Sequence, residues 1–138
     1  MYVVDASVFS SLMIKDEFCE RAESFLTSHR RSELVTVDLA FVETANVLWK
    51  HAHVLRRIPE ESYRRLRTLV VPLIESSVSE VVEARELIRE ALDNACRYGI
   101  TVYDSAYVTL ALKRGFKLAS FDSKLRAALE ELDLVWVL

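Results

Sequence analysis

The sequence predicts a three-layer α/β/α sandwich built around a mainly parallel, five-stranded sheet. Short apolar runs rich in β-branched residues alternate along the chain with longer stretches of helical period. Those runs are apolar on both faces, as strands must be when crossover helices cover both sides of a parallel sheet. Of 138 residues 51% are hydrophobic, about 70 side chains, enough for one real core. No linker, repeat or low-complexity tract divides the chain, so residues 1–138 read as one domain.

The elements follow in order. Tyr2 to Asp5 is the first strand, and mixed amphipathic sequence from about Ser7 to Arg31 gives one or two helices before a second strand, Leu34 to Val37. From Asp38, suited to an N-cap, helical spacing of Leu39, Val42, Ala45, Asn46 and Trp49 carries on to about Arg57. A helix from about Pro59 to Leu69 has proline in its first turn. Ser77 to Val82 is strand three. Glu83 to Tyr98 places Leu87, Ile88, Ala91, Leu92 and Ala95 on one face and stops at Gly99; Tyr103 to Arg114 stops at Gly115. Lys117 to Phe121 is strand four, Ser123 to Glu131 a short helix, and Leu134 to Leu138 a terminal strand.

Composition narrows the function. Charged residues are 28% of the chain and the net charge is −3, with no apolar run of about 18 residues, so a membrane span is not expected. The start, MYVVDASVF, lacks a basic region ahead of its apolar stretch, which predicts a cytoplasmic protein. With Gly99 and Gly115 the only glycines, neither a P-loop nor a dinucleotide fingerprint can be built. Cys19 and Cys96 have no metal-site spacing and read as buried thiols. The absence of glutamine, with only two asparagines, hints at a thermophilic source.

In an open parallel sheet ligands bind beyond the carboxyl ends of the strands. Asp5 closes strand one, Asp122 closes strand four, Asp104 opens a helix after a short connection, and Glu43 lies about one turn into the helix after strand two, with Asn46 three residues on along the same face. Each acid taken singly suits a helix cap. Glu43, however, falls within the apolar stretch LAFVETANVLW, and Asp5 ends a wholly apolar run, where a lone carboxylate is costly. Four converging carboxylates would repel one another unless a cation were bound, and all-oxygen ligation selects a hard divalent ion able to activate water for attack on phosphorus.

These residues carry a resemblance. VVDASVF around Asp5, FVETANVLWK around Glu43, ITVYDSAYVTLA around Asp104 and LASFDSKL around Asp122 are similar, in order and spacing across nearly the whole chain, to the motifs of PIN-domain ribonucleases, above all the VapC toxins of prokaryotic toxin–antitoxin pairs. The resemblance implies a PIN-like five-stranded sheet, a Mg²⁺ or Mn²⁺ site, and endonucleolytic cleavage of RNA by a metal-bound water, leaving a 5′-phosphate and a 3′-hydroxyl. Asp5, Glu43, Asp104 and Asp122 would be both catalytic and metal-ligating, with Ser7, Asn46 and Ser120 in support. A cognate antitoxin and a homodimer are implied partners. Phe121 departs from the pattern, standing where many relatives carry a polar or basic residue.

RNA binding by an acidic chain of pI near 5.7 needs a local basic surface. Arg30 and Arg31, Arg56 and Arg57, and Arg64, Arg65 and Arg67 are the candidates, although cations also suit helix ends. His51 and His53 point to different helix faces, unlike a zinc pair, and Trp49, Tyr63 and Trp136 read as packing residues before base-stackers. The alternative function is a non-catalytic or signalling α/β module whose acids cap helices or bind Mg²⁺. A receiver domain would want adjacent acids after strand one and a late lysine; a haloacid-dehalogenase-type phosphatase would want a second Asp where Ser7 stands.

Overall fold

In the computed structural model, which describes residues 1–138 with Val137 by its backbone alone, the strands are β1 (Tyr2–Val4), β2 (Leu34–Val37), β3 (Glu80–Val82), β4 (Lys117–Ser120) and β5 (Val135–Val137). All neighbouring pairs are parallel, in the order β3-β2-β1-β4-β5. Val3 and Val4 of β1 pair with Leu118 and Ala119 of β4, and all four are fully buried. A strand buried on both faces cannot alternate, which is why β1 reads as an unbroken apolar run.

Helices α1 (Ala6–Ile14), α2 (Cys19–Ser28) and α3 (Leu39–Trp49) pack together with α5 (Val70–Ser77), while α6 (Ile88–Tyr98) and α7 (Val102–Arg114) pack on each other and α7 crosses β1, β2 and β4. α4 (Glu60–Leu66) precedes α5, and α8 (Ser123–Ala128) lies against β5. From β1 the chain moves outward to β2 and β3, then returns to lay β4 on the other side of β1. That reversal opens a crevice at the carboxyl ends of β1 and β4.

Several local expectations change. The stretch after β1 is two helices, separated at Lys15 in a left-handed conformation. The helix expected at 59–69 ends at Leu66, and α5 follows it, with Pro72 in a first turn where its missing N–H costs nothing. Strand three starts at Glu80, three residues later than expected. Asp38 does not cap α3 with its side chain; its carboxylate instead accepts the Ala84 N–H at 2.9 Å, tying α3 to the end of β3. The helical stretch to residue 54 is not uniform, since Lys50–Val54 winds as a π-helix after α3. On α6 only Leu87, just ahead of it, and Ala91 and Ala95 face the core; Ile88 and Leu92 are exposed. Cys96 is exposed and Cys19 half-buried, so neither thiol is a core residue. Trp49 and Trp136 are likewise about half exposed, the latter beside Tyr2 and Phe25.

Gly99 ends α6 at φ +66°, with nothing within 4 Å of where a Cβ would stand. Gly99→Ala is therefore expected to cost about 1 kcal/mol through backbone conformation alone, read as a shift in the urea midpoint at unchanged slope. A loss several times larger would mean that the position is packed.

Candidate active site

Each acid is delivered by a different piece of the fold. Asp5 follows β1 and caps α1; Asp122 follows β4 and caps α8; Glu43 sits in the second turn of α3; Asp104 lies in the first turn of α7. All four line one open cavity of about 860 Å³, together with Ser7 and Asn46. Ser120 lies beneath, fully buried, where its hydroxyl accepts the Asp122 N–H at 3.0 Å. Thus the seven residues singled out from the sequence meet at the crevice, six on the cavity wall and one under it.

The cap and cavity roles coexist. Oδ1 of Asp5 accepts the Ser7 N–H at 2.9 Å and the Ser7 hydroxyl, and Oδ1 of Asp122 accepts the Lys124 and Leu125 N–H groups at 2.9 and 3.0 Å. A carboxylate has two oxygens, so a cap spends one and leaves the other. Asp104 is no cap: Thr101 caps α7, accepting the Asp104 N–H at 3.2 Å. Glu43 accepts a 2.8 Å hydrogen bond from the Tyr107 hydroxyl.

Burial pushes the Asp5 carboxyl up to about 6, against the pull of the Ser120 and Ser7 hydrogen bonds, and the Asp104 charge adds to the rise. Burial also raises Glu43, with the Asp5 and Asp104 charges adding to it, and raises Asp104, with Asp122 adding. No lysine or arginine lines the cavity to relieve this. The acids nevertheless stand apart: among the described residues no three His, Cys, Asp or Glu side chains close into a ready coordination shell.

Sequence reasoning passed over several wall residues. Tyr107 was legible in principle, because it lies three residues after Asp104 and shares its helix face. Phe18, on the loop into α2, stacks on Phe121 with ring centroids 4.7 Å apart, a contact between segments about a hundred residues apart that no local pattern announces. Phe121 therefore serves as a wall. His51 also reaches the cavity, its Nδ1 bonded to the Val47 carbonyl, whereas His53 lies over Trp49, in keeping with the two faces expected. Ser10 lines the cavity too, and its buried hydroxyl has no hydrogen-bond partner. None of the arginine clusters named from the sequence reaches this wall; Arg57 and Arg65 line a second groove.

A parallel sheet with four acids gathered at its switch point places the chain among the open α/β proteins that take ligands beyond the carboxyl ends of their strands. The chain belongs to the PIN-domain family, whose model matches residues 2–130. It is 38% identical over 123 residues to Ribonuclease VapC3 of Pyrobaculum aerophilum, covering 89% of this chain and 90% of that relative. Among solved structures, PAE2754 of Pyrobaculum aerophilum superposes with a TM-score of 0.70 at 28% identity, covering 97% of this chain and 81% of the other. VapC20 of Mycobacterium tuberculosis, described as a sarcin-ricin loop cleaving toxin, shares the fold with a TM-score of 0.69 at 19% identity over 93% and 95% of the two chains. Among the described residues no helix is long and apolar enough to cross a membrane.

Proposed function

We propose that residues 1–138 act as one PIN-like domain, a Mg²⁺- or Mn²⁺-dependent endoribonuclease that is the toxin of a VapBC-type pair in the cytoplasm. One observation carries this reading: Asp5, Glu43, Asp104 and Asp122, from four separate segments, line a single cavity with Asp16, and among the described residues no lysine or arginine joins them. The likeness to Ribonuclease VapC3 supports RNA as the substrate. The donor set of these acids is all oxygen, which fits a hard divalent ion.

Asp5, Glu43, Asp104 and Asp122 would hold the ion. When bound, a divalent ion supplies charge neutralisation at phosphorus and a more acidic water. The chain's own residues hold the ligand oxygens in place. Ser7 fixes the Asp5 carboxylate, Tyr107 fixes Glu43, and the α8 backbone amides fix Asp122. Asn46, exposed on the same α3 face as Glu43, offers an amide to a phosphate oxygen or a water. Tyr107→Phe keeps the buried ring and removes the bond to Glu43. It is expected to weaken Mn²⁺ binding about 10-fold in calorimetric titration; wild-type affinity in that variant would show that Glu43 needs no such support.

An antitoxin partner fits a second groove of about 780 Å³, lined by Leu66, Leu69 and Leu73 with Lys15, Arg57 and Arg65 at hand. Ile14 borders both this groove and the acidic cavity, so a helix seated in one reaches the other. A homodimer would cover Val42, Trp49 and Val54, all more than half exposed on α3 and the turn beyond it.

The test is cleavage of labelled single-stranded RNAs by purified protein in Mn²⁺, Mg²⁺ or EDTA. Metal-dependent cutting is the expected result. Folded protein that neither binds metal nor cuts would overturn the nuclease reading in favour of an interaction module.

A further inference from the structure

A strand of RNA brings one negative charge per nucleotide to a chain of net charge −3 and to a cavity walled by five carboxylates, Asp16 beside Phe18 as well as the four named above. Backbone affinity for nucleic acid comes chiefly from cations that neutralise phosphates. The arginine clusters visible in the sequence face elsewhere, and Arg64 and Arg31 are already engaged, with Glu60 and with the Glu75 carbonyl.

Arg21 is different. It is exposed on α2, and its guanidinium carbon lies 5.7 Å from the Phe18 ring centroid and 5.6 Å from that of Phe121. Those two stacked rings are part of the cavity wall. The wall is tied to the acids: the Phe121 N–H donates to the Ser7 hydroxyl at 3.0 Å, and that hydroxyl donates to Asp5. On the other side the Phe18 N–H donates to Asp16 at 2.9 Å. Among the described residues Arg21 has no ion-pair or hydrogen-bond partner. A guanidinium steadied by aromatic rings keeps its N–H fork unspent, and that fork matches the oxygens of a phosphate. Phe121, the residue that departs from the family pattern, thus supplies half of a seat for a cation that the wall otherwise lacks.

We propose that Arg21, seated on Phe18 and Phe121, is an RNA-binding residue that takes a backbone phosphate of the single strand entering the acidic cavity. This rests on the nuclease reading above. It assigns Arg21 to substrate binding, not to the chemical step, so its loss acts on KM and leaves kcat in place.

The experiment measures binding of a fluorescein-labelled oligoribonucleotide by anisotropy, with Asp104→Asn present throughout to silence cutting, over about 50 to 200 mM salt. Adding Arg21→Ala is expected to weaken binding about 10-fold and to reduce the slope of log affinity against log salt by about 0.7, the value of one phosphate on a single strand. Arg21→Lys should keep the slope, because the charge remains, and lose part of the affinity, because the fork is gone. In the cutting-competent chain, Arg21→Ala should raise KM about 10-fold at unchanged kcat. An unchanged salt slope and KM, in protein whose parent cuts RNA with Mn²⁺, would overturn the role of Arg21 alone. A parent that neither cuts nor binds RNA would take the nuclease reading down first, and this inference with it.

Discussion

Asp104→Asn is expected to lower RNA cleavage by about 10²- to 10⁴-fold while leaving the fold intact, the span that several kcal/mol of lost charge stabilisation gives. Asp104 is the cleanest of the four acids for this test. Asp5 and Asp122 cap helices, so changing them mixes local structure with chemistry, and Glu43 is bound to the buried Tyr107. Asp104 bears no cap, because Thr101 performs that task for α7 through an oxygen that the substitution does not touch. Asparagine there keeps shape and removes a charge. The measurement is single-turnover cleavage in Mn²⁺ beside a thermal melt in EDTA. Cleavage within a few-fold of wild type would remove Asp104 from the active centre, and a collapsed melt would assign it a structural task.

The second large effect concerns stability and pH. The Asp5 carboxyl is raised from 3.8 to about 6 by burial, so the folded chain holds this proton more tightly than the unfolded chain does. Between about pH 4 and 6 the native state binds more protons, and stability conferred by this group falls as pH rises through that window. Glu43 and Asp104, also raised, act in the same direction. Glu80 beside Arg114 and Asp133 beside Lys117 are lowered and act oppositely, losing their contribution as pH falls. Comparing wild type with Asp5→Asn removes this ionisation together with the charge that helps raise Glu43, in a variant whose asparagine still accepts the α1 amide. In EDTA, Asp5→Asn is expected to gain stability relative to wild type as pH rises from about 4 to above 6, by up to about 3 kcal/mol. Added Mn²⁺ should stabilise wild type more at neutral than at acid pH, because ion and proton compete for the same oxygens. Parallel pH profiles for the two proteins in denaturant titrations would show that Asp5 ionises freely.

The PIN assignment depended on short pieces whose chemistry is local. VVDASVF, FVETANVLWK and LASFDSKL each place an acid at or near a strand-to-helix junction, ITVYDSAYVTLA places one in the first turn of a helix that follows another helix, and strands and helices declare themselves through nearest-neighbour period. Where a signal was local but ambiguous, reading fell short. Asp38 looked like a cap, but the Ala84 amide, 46 residues away, claims its carboxylate. Ile88 and Leu92 shared a helical stripe with Ala91, and only packing against α7 decided which of them turned inward.

By itself, then, the sequence determined the run of parallel strands, the capping glycines and which acids fall at the ends of β1 and β4 and in the opening turns of α3 and α7, because each is written in residue type and short spacing. Tertiary structure alone decided that β4 returns to the far side of β1, which is what brings Asp122 to Asp5. It also decided that Tyr107 bonds Glu43 and that Phe18 and Phe121 seat Arg21. Such contacts join residues dozens of positions apart, and their energies depend on burial and mutual orientation, quantities that exist only once the chain has closed on its core.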